Sequence, residues 1–424
     1  MDRFIRRQSA AWLLVLSPLL LADARAQQTG LDGRNQTTVE ALLKRIDELE
    51  AAQKKMQQKL DTLAGPTVAI TPAVETPVAT VETSPADNTE SGHALGPVVL
   101  HGFTDFDYGR AWFEKLPPGG LTGSTHSFNI GDFDLFTNTR ISEHWSVLGE
   151  MLVTSDFTNG FGIEMDRLLV SYKPNDYFNI GFGKFNTALG YYPNAFHRAR
   201  YFQTATSRPI MYSDEDNGGI LPVHNVGITA TGKLTQGTIG LHWVAEVSNG
   251  RSASDEEAPI QNFVDAGNGK AVNLAIYARP EGLRGFQTGV SVYHDTMHPL
   301  ELPAIRQDIV TGHIVFAGPK LEFLNEASLI RHEVKGTNEI FRSLTAYTQA
   351  SYAFGKVRPY VRYDYQNVPA SDPLFGHAGR KSGPSVGVYR HISNYVVVKI
   401  QYGRLGQRAQ PSANDIQGQL ALAF

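Results

Sequence analysis

From about Pro97 to Phe424 the chain is a succession of short segments, each of roughly ten residues, in which apolar and polar side chains alternate and turn chemistry marks the ends. Successive side chains of an extended strand point to opposite faces, so each segment has one greasy face and one wet face. Leu420, Leu422 and Phe424 share one parity, and Gln417, Gln419 and Ala421 the other. Near 394–404, Val396, Val398, Ile400 and Tyr402 alternate with Tyr395, Lys399 and Gln401; at 357–366, Val361, Tyr363 and Tyr365 alternate with Arg358, Arg362, Asp364 and Gln366. A charged side chain facing lipid at mid-membrane costs about 2–4 kcal/mol. The charged parity therefore lines a wet interior, and the greasy parity faces outward.

Sixteen strands are predicted, near 98–113, 127–141, 145–156, 163–173, 177–188, 223–233, 238–248, 270–279, 286–296, 307–317, 321–333, 341–354, 357–367, 381–392, 394–404 and 415–424. Tight connections (Ser142 to His144, Pro174 to Asp176, Leu234 to Gly237, Pro280 to Gly285, Gly318 to Lys320, Gly355-Lys356, Ser393 to Asn394) alternate with long polar ones. The long ones run from Glu114 to His126, Leu189 to Pro222, Ser248 to Gly269, Val368 to Gly379 and Leu405 to Asn414. Short turns on one side and long loops on the other are the signature of an outer-membrane barrel, and an even strand count leaves both ends in the periplasm. A soluble sandwich or propeller has no reason to sort its loops this way. Two parities depart from the pattern: Phe103 and His101 share that of Asp105, and Lys184 shares that of Ile180 and Phe182.

The N-terminal region has a different grammar. Arg3, Arg6 and Arg7, the apolar run from Ala10 to Ala22 and Ala24-Arg25-Ala26 make a signal peptide over 1–26. Over 31–64, Val39, Leu42, Ile46, Leu49, Gln53, Met56, Leu60 and Leu63 are spaced alternately by three and four, the seam of a left-handed coiled coil. One helix alone leaves that stripe uncovered, so the heptads predict a periplasmic oligomer of identical chains. An amphipathic helix packed on its own domain is the simpler alternative. Residues 65–96 are a Pro/Thr-rich linker, and 97–424 the barrel domain with an inward loop at 189–222. After the signal peptide no stretch approaches the roughly 18 apolar residues of a membrane-spanning helix. The chain has no cysteine and a formal net charge of −4, so neither disulfides nor a nucleic-acid footprint is expected.

Catalytic and metal signatures are nearly absent. Gly383-Pro384-Ser385-Val386-Gly387 fits a nucleophile elbow in letters, but that motif needs a strand, a sharp turn and a helix, and it falls in an alternating strand. The scattered histidines show no metal-ligand spacing. No enzyme activity, cofactor or metal is predicted.

Residues 189–222 form a connection far longer than a hairpin needs, and its aromatic density speaks for order. Folded into the barrel, it narrows the bore. It carries His197, Arg198, Arg200, Tyr201 and Arg208, then Asp214, Glu215 and Asp216. Opposite charges on facing walls of a narrow lumen set a transverse field, and the dominant sign selects ions. The alternative is that these charges pair and brace the loop. Further lumen cations by parity are Arg140, Arg167, Lys173, Arg358, Arg362 and Lys399; lumen acids are Asp132, Asp134, Asp295 and Asp364.

Around Phe178-Asn179-Ile180-Gly181-Phe182-Gly183-Lys184-Phe185, continuing to Leu189-Gly190 and the long loop, the sequence resembles the phosphate-selective porin O/P superfamily and the related DcaP-like porins. The resemblance implies an all-β membrane protein: a 16-stranded antiparallel transmembrane barrel, preceded by a short α-helical coiled coil and assembled as a homotrimer. The terminal Phe424 is similar to the signal read by the barrel-assembly machinery. Phosphate-specific members carry an arginine ladder and a lysine cluster; Arg358 and Arg362 fit the first, and no lysine cluster is present. The expected activity is passive diffusion of small hydrophilic solutes, biased toward phosphate or carboxylates. A sugar-type porin, or an envelope tether that grips peptidoglycan through the coiled coil, are the alternatives.

Overall fold

A computed structural model describes residue 98 and residues 100–424, apart from 114–123, 156–159, 197–199, 214–218, 235–236, 255–256, 262–268, 300–301, 338 and 409. The signal peptide, coiled coil and linker expected from the sequence lie outside the described residues, as do His197, Arg198, Asp214, Glu215 and Asp216.

Sixteen antiparallel strands close into one barrel. In chain order they are β1 Leu100–Phe113, β2 Ser124–Arg140, β3 Trp145–Ser155, β4 Phe161–Asn175, β5 Phe178–Asn186, β6 His224–Lys233, β7 Leu241–Asn249 and β8 Lys270–Ala278. They continue as β9 Phe286–Met297, β10 Ile305–Ala317, β11 Leu321–Val334, β12 Ile340–Tyr352, β13 Val357–Asn367, β14 Arg380–His391, β15 Val396–Gln407 and β16 Gln410–Ala423. Each pairs with its sequence neighbours, and β1 closes on β16 with Phe103 opposite Ala423 and Phe113 opposite Ala413. Closure removes the sheet edges, whose unpaired N–H and C=O groups hydrocarbon does not satisfy. Among the described residues no helix is long and apolar enough to cross a membrane; strands make the crossing.

Alternation appears directly as exposure. On β15, Ile400 is 60% exposed between the buried Lys399 and Gln401; on β11, Leu329 is 60% exposed beside the fully buried Ser328. Val361 and Tyr363 face outward while Arg362, Asp364 and Gln366 are buried within. The greasy outer band and polar inner wall are those of a transmembrane barrel.

The two departures from alternation resolve differently. Phe103 and His101 do share the inner face with Asp105: their rings stack on Phe136 of β2 (6.0 and 5.1 Å), and Phe103 meets Phe202 of the long loop edge to face at 5.5 Å. Lys184 keeps the outward parity, opposite Leu168 of β4 and Val226 of β6 with no shift of register there, yet it is buried, with its Nζ on Glu164 (3.0 Å) and on the Met165 carbonyl (2.9 Å). Before it, Gly183 has φ +136°, and a Cβ there would lie 1.9 Å from the Leu168 carbonyl oxygen, so this position needs glycine.

One connection departs from expectation. The polar stretch from Leu405 to Asn414 is no long loop: β15 runs to Gln407, β16 starts at Gln410, and the ladder pairs Arg404 with Asn414 and Leu405 with Ala413. Polar residues on both faces look like loop in sequence, but strands that extend beyond the hydrocarbon have no greasy face to keep.

Candidate pore and constriction

The connection between β5 and β6, residues 187–223, turns into the barrel instead of leaving it. It starts against β7, where the Glu246 carboxylate accepts the Ala188 N–H (3.2 Å), and then bends at Gly190. Gly190 has φ +80°, and a Cβ there would lie 2.1 Å from the Tyr212 hydroxyl and 2.3 Å from Glu326 Oε2. A short helix, α1 (Tyr192–Ala195), follows, with Pro193 in its first turn, where a missing N–H does no harm.

Glu326, midway along β11 and 1% exposed, anchors this bend. Its carboxylate accepts the N–H groups of Tyr191 (2.6 Å) and Tyr192 (3.1 Å) and the hydroxyls of Tyr212 (2.8 Å) and Tyr347 (2.7 Å). Burial, the neighbouring charge and the hydrogen bond to Glu326 push the Tyr212 phenol well above its ordinary value, so it remains a donor. Burial pushes the Tyr192 phenol up to about 12. The rings of Tyr192, Tyr212 and Tyr347 pack on one another at 5.6 to 6.3 Å. With Leu189, Met211, Ile220 and Leu221 they join wall residues of β8 to β12 in one apolar core inside the barrel.

The loop then descends to the turn side. The Tyr201 hydroxyl donates to the carbonyl of Asn394, in the turn between β14 and β15, at 2.6 Å. Lys399 of β15, fully buried, donates to the carbonyls of Arg200 and Ala205 and to Gln419 Oε1. On the way back, Arg362 donates to the Ser207 carbonyl (2.6 Å) and hydroxyl (2.8 Å) and pairs with Asp364 (2.8 Å), which accepts the Ile210 N–H (3.0 Å). A second connection, 368–379, also folds in: Asp372 pairs with His332 at 2.7 Å, and Arg251 lies over Phe375 while donating to the Ile220 carbonyl.

The cations expected from the sequence thus divide. Arg362 and Lys399 hold the loop against β13 to β16. Arg140, Lys173 and Arg358 stand at the turn-side rim: Arg140 on the carbonyls of Ser142 and Glu143, Lys173 on Asp176 (3.2 Å), Arg358 on the Pro319 carbonyl (2.8 Å). Arg167 lines the open lumen and is paired with Glu150. Arg208 is half-buried, with its guanidinium 3.4 Å from the Tyr212 carbonyl, and Arg200 is within electrostatic range of Asp105 and Asp107 on β1. Of the expected acids, Asp134 is buried on the inner face of β2 with Asp132 on the same parity; Asp295 accepts the Arg251 and Thr296 N–H groups (2.8 and 2.7 Å), and Asp364 is bound to the loop.

Because the loop leans on β11 to β16, space remains on the opposite wall. A cavity of about 560 Å³ lies between the loop and strands β3 to β10, and a second of about 590 Å³ adjoins the turn-side mouth. Arg279, Gln287 and Tyr191 border both. Sequence reasoning overlooked Arg279 because it precedes the Pro280 turn, yet it continues the inward parity of Ala275 and Tyr277. It overlooked Glu326 although that residue, like Glu322, is a carboxylate on the inward parity of Leu324 and Ser328. Among the described residues no cluster of His, Asp and Glu is arranged to hold a metal. Ser385 lies within β14 with strand on both sides, without the turn and helix of a nucleophile elbow.

No protein-family model and no curated protein sequence matches the chain. Among solved structures it is similar to an anion-selective porin from Comamonas acidovorans (12% identity, TM-score 0.56, covering 77% of this chain and 99% of that one). It is also similar to the outer membrane channel DcaP of Acinetobacter baumannii (13%, TM-score 0.55, 77% and 97%) and to Salmonella typhi OmpF in complex with daunomycin (11%, TM-score 0.53, 77% and 97%). At such identities the likeness is one of fold: the sixteen-stranded barrel is that of porins.

Proposed function

We propose that this chain is an outer-membrane porin, resembling the phosphate-selective O/P and DcaP-like group, through which small hydrophilic solutes diffuse passively with a bias toward anions. The observation that carries the reading is the inward loop fastened to one wall of a wet lumen, with an open passage left along the other. A purely structural barrel has no need of such a passage, and passive flow needs no cofactor or energy source.

The anion bias is supported by the basic groups along the passage. Arg279 borders both cavities with no carboxylate within ion-pair distance among the described residues, and Arg200 and Arg208 lie on the loop. A sugar slide has less support, because Tyr192 and Tyr212 are buried against the wall and Tyr191 is the loop tyrosine that reaches the cavities. The turn side, where both barrel ends lie, faces the periplasm in this reading. The N-terminal heptads would hold three copies together, with lipid around the trimer. The Comamonas porin is named as anion-selective, in line with the proposal.

Reversal potentials of the purified protein in planar bilayers under a KCl gradient test both parts. Conductance with a chloride-favouring potential is expected. A potassium-favouring potential ends the anion bias, and a membrane that stays non-conducting ends the porin reading.

A further inference from the structure

We infer that Arg279, Tyr277, His242, Gln287 and His313 form a docking site for flat aromatic carboxylates at the neck between the two cavities. The inference rests on the reading of the barrel as an open pore, since solute reaches this neck through either cavity.

The five residues come from the inward faces of β7, β8, β9 and β10 at their turn-side ends, Arg279 directly following β8. The guanidinium lies over the Tyr277 ring at 4.9 Å, and Tyr277 in turn stacks on His242 at 5.0 Å and an interplanar angle of 5°. A cation over an aromatic face is held by the ring quadrupole, so the long side chain is presented in one pose. Nε donates to Gln287 Oε1 at 2.6 Å, and Gln287 Nε2 lies 3.0 Å from His313 Nε2. With its oxygen fixed by Arg279, the amide must donate to His313, and the neutral imidazole then keeps its proton on Nδ1. His313 is 6% exposed, borders the cavity between the loop and β3 to β10, and its Nδ1 has no protein partner.

With Nε engaged, the Nη edge of Arg279 is the edge left for solute, and no protein acceptor meets it among the described residues. Two parallel N–H groups on a planar fork match the two oxygens of a carboxylate. A tetrahedral phosphate dianion is served better by several cations, and here one guanidinium stands without an acidic partner. The ring attached to the carboxylate would lie against Tyr191, which borders both cavities and stands 6.2 Å from His313. The cavity between the loop and β3 to β10, about 560 Å³, is within the usual range for small-molecule sites.

The test uses the full-length protein in detergent micelles, titrated calorimetrically with benzoate, acetate and inorganic phosphate, and the same solutes added to planar-bilayer recordings in KCl. Benzoate is expected to bind about tenfold more tightly than acetate, and Arg279→Lys, which keeps the charge and loses the fork, to weaken benzoate by about tenfold. Tyr277→Leu should weaken it severalfold through loss of the stacking support, with folding checked by heat-modifiable gel mobility. Equal affinities for benzoate and acetate, tighter binding of phosphate, or benzoate binding unchanged in Arg279→Lys each overturn the site. A protein that binds benzoate through Arg279 yet passes no current keeps the site and loses the pore; one that conducts but binds benzoate independently of Arg279 does the reverse.

Discussion

Removing the Glu326 carboxylate should release the inward loop without opening the barrel. Glu326→Ala strips the acceptor from four donors: the N–H groups of Tyr191 and Tyr192 and the hydroxyls of Tyr212 and Tyr347. A buried donor left unsatisfied costs about 1–3 kcal/mol. The Tyr212 hydroxyl keeps the Leu189 carbonyl as a second acceptor (3.1 Å), so three donors are left bare; even at about 1 kcal/mol each, the docked loop loses roughly 3 kcal/mol, on the order of a hundredfold in the ratio of docked to undocked states. The barrel ladder is untouched, so heat-modifiable mobility should persist. Single-channel records should show a larger mean conductance with added open-state noise. Because the chain has no cysteine, Ala205→Cys supplies one thiol on the buried part of the loop; its labelling should be slow alone and fast when combined with Glu326→Ala. Glu326→Gln separates charge from anchoring: it is equally neutral but keeps a carbonyl oxygen, and the phenols can turn to accept from its amide, so an intermediate effect is expected. If Glu326→Ala leaves conductance, noise and labelling rate unchanged, the loop is held by other contacts and the anchoring role assigned to this carboxylate is wrong.

Three further outcomes follow from the same geometry. Lys399→Met should free the loop tip, since it removes the donor to the Arg200 and Ala205 carbonyls; faster proteolysis near residue 200, with an intact barrel, is the readout, and an unchanged cleavage rate would count against it. Asp372 should latch the second inward loop down to unusually acid pH. Burial alone would raise its carboxyl, but the hydrogen bond and charge of His332 and the N–H groups of Phe375 and Leu374 outweigh it and hold it below the ordinary 3.8. A depressed carboxylate stabilises above its unfolded value and loses that contribution as pH falls through the folded one. Open-state noise should therefore stay flat through pH 5 to 4 in the wild type and be raised throughout in Asp372→Asn, and noise that climbs already at pH 5 in the wild type would contradict the latch. Leu329→Arg, on the outward face of β11, should cost about 2–4 kcal/mol and lower the yield of folded protein, whereas an undiminished yield would place that face out of lipid.

What could be read in the sequence and what could not differ for a physical reason. Strand parity is a local property of extended backbone, and hydrocarbon penalises charge wherever it meets it. The alternation of Val361, Arg362, Tyr363 and Asp364, or of Leu420 against Gln419, therefore told inside from outside before any fold was known. The tight turns and the inward 189–222 connection were legible likewise, because turn chemistry and loop length are also local. The exception at Lys184 is a charge on the outward parity, met by Glu164 and the Met165 carbonyl of the neighbouring strand.

Position around the barrel is not local. By parity alone Arg362, Lys399 and Arg279 are equivalent inward cations, and no pattern of neighbours separates the two that grip the loop from the one that faces the passage. That distinction came only with closure, which set the loop against β11 to β16 and brought Glu326 to Tyr192 across 134 residues and Arg362 to Ser207 across 155. The sequence determined a greasy-outside, wet-inside barrel, because each side chain answers singly to its solvent. The tertiary structure decided where the passage runs, because that depends on which distant groups satisfy one another first.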